Sequence, residues 1–551
     1  MSFKVKFVSS LSKVFPDREP EGGYRSGSAL KNEVFSFQAA FCCSEQWLDV
    51  EVKTDSPLAG YITVREVSLV PVEHLPEELD DDALLRTPGL APDLLRPLWN
   101  NKIMTDAGVW QSLWFTVKIP ADFPAGKAPV RITFTGCDQQ QKRRFKVTSV
   151  FNLKVIDAVL PEQKLSVSHW FHGDCLATFY REKVFSEKHW QICENFIRNA
   201  VAHGMDTLLT PVFTPPLDTQ VGGERPTIQL VGIKKDGQKY SFDFSRLKRW
   251  VEMAESCGIR FFEMAHLFTQ WGAGFTPKIM AETAEGEKRI FGWDIPADSP
   301  EYENFLAQFL PELCAFLDRL NLRERVIFHC SDEPRKHHLK SYAYASGLIR
   351  KYLHGFKIVD AMSRMELFES GCVDIPAVCE HHYEPFRKID LKERFIYYCC
   401  EPFSRYPNRF IHMPSCRNRI FGTLMYCYNI DGFMHWGFNF YYSRFSRFPV
   451  DPFGGTTAGH AFPAGDAFLV YPGDNGEVLD SIRHEVFYEA LQDMRLLQLL
   501  ETYYSRSELL RALNRFAAGK ELDLLDYPKT ENMVLKLRKK LESMLRKALK
   551  K

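Results

Sequence analysis

The chain reads as a multidomain α/β protein: an N-terminal antiparallel β-sandwich over residues 1–160, a (β/α)8 TIM-like barrel over 161–505, and a short C-terminal helical segment over 506–551. Three observations predict this. Period-two apolar alternation without intervening helical patterns fills the first part, as expected of half-buried antiparallel strands. After Leu160-Pro161 strand-like runs alternate with helical periodicity, the mark of parallel βα units. Counting those units gives roughly eight, the number that closes a barrel of this length.

In the first part Phe35, Phe37, Ala39 and Phe41 share one face, and Leu48, Val50 and Val52 alternate with Asp49, Glu51 and Lys53. Residues 113–119, 130–134 and 144–155 are further strands, with turn chemistry at Pro120 and at Pro124-Ala125-Gly126. Residues 76–101, rich in Pro, Asp and Leu, read as a long surface loop. No catalytic signature occurs here, so this part is expected to be a packing module.

In the second part residues 165–169 make the first strand. Ser186 caps a helix whose Trp190, Cys193, Ile197 and Ala200 share a face before Gly204. Residues 207–211 form the next strand, and a helix over 244–257 leads through Gly258 into 259–263. A helix over 300–320 is supported by Tyr302, Phe305, Leu306, Phe309, Leu313 and Phe316, and another spans 339–353 with Gly355 as its stop. Residues 356–359, 395–398 and 432–436 are later strands, and a helix over 481–501 finishes the barrel. The remainder places Leu524, Val534, Leu537, Leu541 and Leu545 among many Lys and Arg, an appendix whose basic run reads as a solvated face.

The informative stretch lies at the end of the 300–320 helix. Val326-Ile327-Phe328 is a short apolar strand, followed by His329-Cys330-Ser331-Asp332-Glu333 and ended by Pro334, which lacks a backbone donor. Two carboxylates therefore stand at a strand's C-terminal tip, where barrel proteins display reacting groups. The competing reading is a helix-entry motif, its acids favoured by the dipole of the following helix.

A strand closing in Asp332-Glu333-Pro334 resembles the catalytic strand of glycoside hydrolase family 123, formerly DUF4091. Asp431-Gly432-Phe433-Met434-His435-Trp436-Gly437 is similar to that family's final barrel strand. The run Gly465–Gly473, followed by Ser481-Ile482-Arg483, resembles the block before its last barrel helix. The three blocks occur in order and extend the resemblance over most of the chain. The resemblance implies a β-N-acetylgalactosaminidase in which Asp332 orients and stabilises and Glu333 is general acid and then base. The residues point the same way, because neighbouring acids do not easily flank a glycosidic bond from opposite sides. They suit a scheme in which the sugar's own 2-acetamido group is the nucleophile, Glu333 protonating the leaving oxygen while Asp332 holds the acetamido nitrogen.

Sugar sites need aromatic faces and polar forks, and such residues follow several predicted strands. The substrate-binding candidates are Trp170, His172 and Asp174, with His169 beside them; Gln270 and Trp271; Trp293, next to Asp294; Tyr398; and Trp436 with Asn439. Trp436, Tyr398 and Asp174 rank highest, and buried aromatic packing is the competing explanation for each ring. The pairs His337-His338 and His381-His382 lack a third ligand at recognisable spacing, and no phosphate-cradling glycine loop occurs, so neither metal nor cofactor is expected.

Composition narrows the partners. Lys plus Arg equals Asp plus Glu at 70 each, which gives no electrostatic case for nucleic acid or an anionic membrane; an oligosaccharide or glycoconjugate is the expected partner. The 14 Cys lack paired metal spacing, and the start Met-Ser-Phe-Lys-Val-Lys-Phe has no signal-peptide core, so a cytoplasmic location is expected. The expected function is a hydrolase of terminal β-linked N-acetylhexosamine. The alternatives are a glycosidase of the same architecture on another sugar, or a non-catalytic carbohydrate-binding protein.

Overall fold

The computed structural model describes residues 2–138 and 143–550. The N-terminal part is two facing sheets. One has the strand order Phe3–Ser9, Val34–Cys43, Trp110–Lys118, Ile62–Val72, Gly89–Pro97, all antiparallel. The other runs Ser26–Lys31, Arg143–Val159, Val130–Asp138, Trp47–Asp55, Lys102–Thr105, with its edge strand Ser26–Lys31 parallel to its neighbour. Phe37, Phe41, Phe115, Ile132, Phe134 and Phe151 fill the space between them. The alternation at Phe35–Phe41 thus does mark an inward face, as a half-buried strand requires.

The expected surface loop at 76–101 is corrected in its second half. Gly89–Pro97 is a strand paired with Ile62–Val72, and Ala91, Leu94 and Leu95 are buried against the barrel side of the molecule. Pro92 and Asp93 disguise it as loop, but Asp93 is fully buried because Arg483 reaches it at 2.9 Å. A charge counted as solvated is instead satisfied across an interface.

Eight parallel strands then close a barrel: β1 (Ser166–His169), β2 (Thr207–Thr210), β3 (Phe261–Met264), β4 (Val326–Phe328), β5 (Lys357–Ala361), β6 (Ile375–Cys379), β7 (Phe395–Tyr397) and β8 (Gly432–His435), with β8 pairing back onto β1. The principal helices are α1 (Glu187–Ala202), α2 (Ser245–Cys257), α3 (Pro300–Arg319), α4 (Leu339–Arg350), α5 (Ser415–Cys427) and α6 (Ile482–Leu500). Ser186 caps α1 with its hydroxyl, as its position before an apolar periodic run predicts, and Ser299 and Ser481 cap α3 and α6 in the same way. Gly422 in α5 is required by close approach, since a Cβ there would lie 1.8 Å from the Ala490 carbonyl of α6.

Two features go beyond the sequence reading. A four-stranded sheet, Lys239–Asp243, Gly232–Asp236, Ile279–Thr283 and Gly286–Phe291, is inserted in the connections after β2 and β3, and its Tyr240 and Phe242 pack on Phe305 of α3. The C-terminal helix α7 (Glu531–Ala548) is more than a solvated appendix. Val534, Leu537, Leu541 and Leu545 join the core beneath α5 and α6. Its Arg538 is buried and bonds Glu33 of the sandwich and Asp493 of α6, each at 2.7 Å, while Lys536, Lys539, Lys540 and Lys547 stay exposed.

Candidate active site

The connection after β4 is held by the strands beside it. The Asp360 carboxylate, from β5, accepts hydrogen bonds from the backbone N–H groups of Cys330 and Ser331, from the Tyr342 hydroxyl at 2.6 Å, and from His329 Nδ1 at 3.1 Å. His329 also faces Glu263 of β3 at 3.6 Å, and these two carboxylates hold the imidazole's pKa up to about 9 against the opposing effect of burial. Glu263 in turn accepts from Ser168 and from the Trp170 indole. The His329 imidazole, set between the Glu263 and Asp360 carboxylates, therefore ties β1, β3, β4 and β5 together next to the acids.

The backbone is pinned on both sides of the pair. The Trp271 N–H donates to the Asp332 carbonyl at 2.8 Å, and the Glu333 N–H donates to the Ala361 carbonyl at 3.1 Å. Glu333 sits at φ +41°, a left-handed conformation that costs a side-chain-bearing residue on the order of 1–3 kcal/mol. Trp271 and Ala273, in the neighbouring turn, also have positive φ. Strain of this kind persists where the surroundings over-determine the chain, and here it turns Glu333 into an open cavity of about 430 Å³ at the C-terminal mouth of the barrel.

Asp332 and Glu333 both line this cavity. The Tyr397 hydroxyl of β7 donates to Glu333 Oε1 at 2.6 Å, which leaves Oε2 for a ligand. Among the described residues no group donates a hydrogen bond to the Asp332 carboxylate. Burial, and for Asp332 the neighbouring Glu333 charge, hold both acids above the ordinary carboxylate range. Such a pair keeps a proton to higher pH than a solvated carboxylate would, the condition for a general acid beside a second, charge-stabilising acid.

Among the other candidates, Trp170, Gln270, Trp271 and Trp436 line the cavity. Trp436 is half-buried, its indole N–H donating to Asp466 at 2.9 Å and its ring packed edge-on with Phe440 and Phe462. The Gln270 amide is engaged, accepting from Asp218 N–H and donating to the Thr219 carbonyl. The structure does not bring Asp174, His172, Asn439, Trp293 or Tyr398 to the cavity lining. Asp174 forms a buried two-pronged ion pair with Arg225 at 2.8 and 2.9 Å. Asn439 clamps the backbone of His172 through both its N–H and its carbonyl, and the His172 ring faces the Trp436 carbonyl. Trp293 packs on Phe275 beside the inserted sheet. Tyr398 is fully buried among Phe421, Phe433 and His435.

The sequence reading missed Tyr397, Asp218, Arg335, Arg364, Glu401 and Arg444, all of which line the cavity. Strand alternation required only that Tyr397 and Tyr398 point to opposite sides, without telling which of them faces the cavity. Of the two His pairs, His381 and His382 line the cavity wall. Among the described residues the groups with metal-ligand spacing are His203–Asp480–His484 and His266–His329–Asp360. In the second the His329 and Asp360 ligand atoms already bond each other and Asp360 accepts four donors, so it reads as a hydrogen-bonded charge cluster. A second cavity, about 670 Å³, lies between the edge strand Ser26–Lys31 and α7, far from any barrel strand tip.

A search of curated proteins found no match. Among solved structures, a family 123 glycoside hydrolase from Clostridium perfringens superposes with a TM-score of 0.75 at 15% identity, covering 100% of this chain and 98% of that one, and so shares the whole fold. A glycosyl hydrolase family 2 member from Bacteroides cellulosilyticus (TM-score 0.28, 10% identity, 84% of this chain and 49% of that one) scores too low to define a shared fold. The same holds for a family 5 mannosidase from Rhizomucor miehei (0.30, 12%, 60% and 94%). The family model for the catalytic domain of glycoside hydrolase 123 matches residues 170–500, more than half of the sequence and the segment that carries Asp332 and Glu333, and the chain therefore belongs to glycoside hydrolase family 123.

Proposed function

We propose that the protein hydrolyses terminal β-linked N-acetylhexosaminides, with N-acetylgalactosamine favoured by the family resemblance, by substrate-assisted catalysis with retention. The observation that carries this reading is a pair of neighbouring acids on one strand tip, differently held. Glu333 is braced on one oxygen by Tyr397, and the Asp332 carboxylate faces the cavity without a protein donor. In the proposed reaction the acetamido carbonyl oxygen attacks the anomeric carbon as the glycosidic C–O bond breaks, and Glu333 delivers its proton to the departing oxygen. The acetamido N–H, increasingly acidic as the oxazolinium ring forms, donates to Asp332, whose negative charge offsets the developing positive one. Glu333, now a carboxylate, takes a proton from water as that water attacks the same carbon and opens the ring. The Trp436 face supplies a platform for the sugar's C–H surface, and its link to Asp466 fixes the platform's angle.

A second reading is favoured by one observation: Asp218 and Glu401 also line the cavity, from the connections after β2 and β7. Either offers a carboxylate across from Glu333 for ordinary two-carboxylate hydrolysis of a sugar without the acetamido group. One experiment separates the two. An N-acetylhexosamine thiazoline, which mimics the oxazoline, is expected to inhibit far more tightly than the product sugar, and a 2-fluoro glycoside is expected to leave no covalent label. A trapped covalent sugar, or an inert thiazoline against active enzyme, overturns the substrate-assisted scheme.

A further inference from the structure

The wall of the cavity beside Glu333 carries two arginines that, among the described residues, form no ion pair, although the Arg335 charge is felt at Glu333 and lowers its pKa. Arg335 follows Glu333 by two residues, and Arg364 stands on the next connection, after β5; both are exposed and both line the cavity. Among the described residues neither has a carboxylate within ion-pair distance. The contrast within the molecule is sharp: Arg225, Arg417, Arg483 and Arg538 each hold a carboxylate at 2.5–2.9 Å. Glu366, two residues after Arg364, faces Lys336 instead, at 3.8 Å. His381 and His382 continue the same wall on the connection after β6, and burial together with Arg364 pushes both imidazoles down, to about 4 for His381. They remain neutral there and serve as hydrogen-bonding groups. Of the cavity's other acids, Glu401 comes from the connection after β7, and Asp218 lies across the mouth beside Arg444, where it accepts the Phe445 N–H at 2.9 Å.

The position of this wall determines which part of a substrate meets it. The general acid must touch the glycosidic oxygen, so the leaving group departs on the Glu333 side. Arg335 shares that connection and Arg364 the adjoining one, since β4 and β5 are paired neighbours. A guanidinium presents a planar fork that matches the two oxygens of a carboxylate or sulfate, and a neutral hydroxyl engages it weakly by comparison. Resting on the glycosidase reading above, we propose that the leaving-group side accepts an anionic acceptor: a sugar bearing a carboxylate or a sulfate ester, gripped by Arg335 and Arg364.

The test is a matched panel of β-N-acetylhexosaminyl disaccharides whose acceptor is a uronate, the isosteric uronamide, a sulfated hexose or the unsulfated hexose, with an aryl β-N-acetylhexosaminide alongside. The expected result is a kcat/KM at least about tenfold higher for one anionic acceptor than for its neutral isostere. The difference should sit mainly in KM and shrink as salt rises from about 0.05 to 0.5 M, because exposed charges are screened. Whichever pair shows the preference identifies carboxylate or sulfate as the source. In the doubly substituted Arg335→Gln, Arg364→Gln protein that anionic-to-neutral ratio should fall to about one, and exposed positions allow this change without threatening the fold. A ratio near one in the unaltered protein, or one that the double substitution does not move, overturns the inference while aryl glycoside turnover keeps the glycosidase reading standing. Failure of every N-acetylhexosaminide in the panel overturns both.

Discussion

Two regions of this molecule are dense in charge and treat it in opposite ways. Where the sandwich meets the barrel, buried ions are matched. Arg65 bonds Asp480 and Glu485, Arg483 bonds Asp93, Arg419 bonds Asp493 and Glu489, and Arg538 bonds Glu33, Asp493 and Glu542. At the barrel mouth, among the described residues, the Asp332 carboxylate has no donor and the Glu333 carboxylate has one, on a strained backbone, and Arg335 and Arg364 face the open cavity. Charge at the interface is spent on joining parts of the chain; charge at the mouth is left for something that is not part of it. Charge density alone therefore does not mark a functional site, whereas unmet hydrogen-bonding capacity beside a cavity does.

Breaking one member of each region should separate activity from stability. At the mouth, Glu333→Gln is expected to lower turnover of substrates with poor leaving groups by about 10²- to 10⁴-fold and of activated aryl glycosides much less, because the latter need little proton donation. Its melting temperature should stay close to the parent's. Equal losses on both substrate types would remove Glu333 from the acid role. At the interface, Asp93→Asn leaves Arg483 buried without its anion and is expected to cost about 3–5 kcal/mol of stability in denaturant titration. Activity per folded molecule should survive, since Asp93 touches nothing in the cavity. A loss of activity larger than the loss of folded protein would show that the two regions are coupled.

The charge cluster under the acids lies between these extremes and has a pH signature. His329 is raised in the fold from about 6.5 to about 9, so its contribution to stability is fully present below about pH 6.5 and is lost as pH rises through about 9. The shift corresponds to a few kcal/mol at most, with strong coupling to Glu263 and Asp360 reducing what one residue can claim. Stability measured between pH 6.5 and 9 should fall for the parent, and His329→Gln should flatten that slope from a lower starting point. An unchanged slope would mean that the imidazole is neutral in the folded protein.

Much of this arrangement was legible in the sequence, for identifiable reasons. Val326–Phe328 announced a covered strand, Pro334 its end, and the acids between them a strand tip; Ser186 preceded the 3.6-residue periodicity of α1. What escaped detection was non-local. Asp174 looked like a site residue because it follows a strand, and only Arg225, fifty-one positions on, reveals it as half of an ion pair. Asp93 looked solvated until Arg483 supplied its partner. The inserted sheet went unread because its strands are short hairpins rich in charged residues, with only a few apolar side chains such as Ile233, Tyr240 and Ile279 turned into the core.

The smallest predicted effect tests the finest distinction, which the sequence could not draw. Tyr397 ends β7, which has three residues and is buried throughout, and Tyr398 follows it directly, so no polar alternation told which ring faced the cavity. The structure turns Tyr397 toward Glu333 and Tyr398 into packing, where its hydroxyl finds no hydrogen-bond partner. Tyr397→Phe removes a bond to the proposed general acid and should lower kcat about 3- to 10-fold, the scale of one ordinary hydrogen bond. Because that bond favours the ionised form of Glu333, its loss should also move the alkaline limb of the pH–rate profile, where the acid must still hold its proton, to higher pH. Tyr398→Phe removes a buried hydroxyl that lies beside Arg409 without a well-formed hydrogen bond, so activity should stay within about twofold and stability should change by no more than about 1 kcal/mol. If Tyr398→Phe is instead the more damaging of the two, or Tyr397→Phe leaves the alkaline limb in place, β7 presents its other face to the cavity and the bracing of Glu333 described here is wrong.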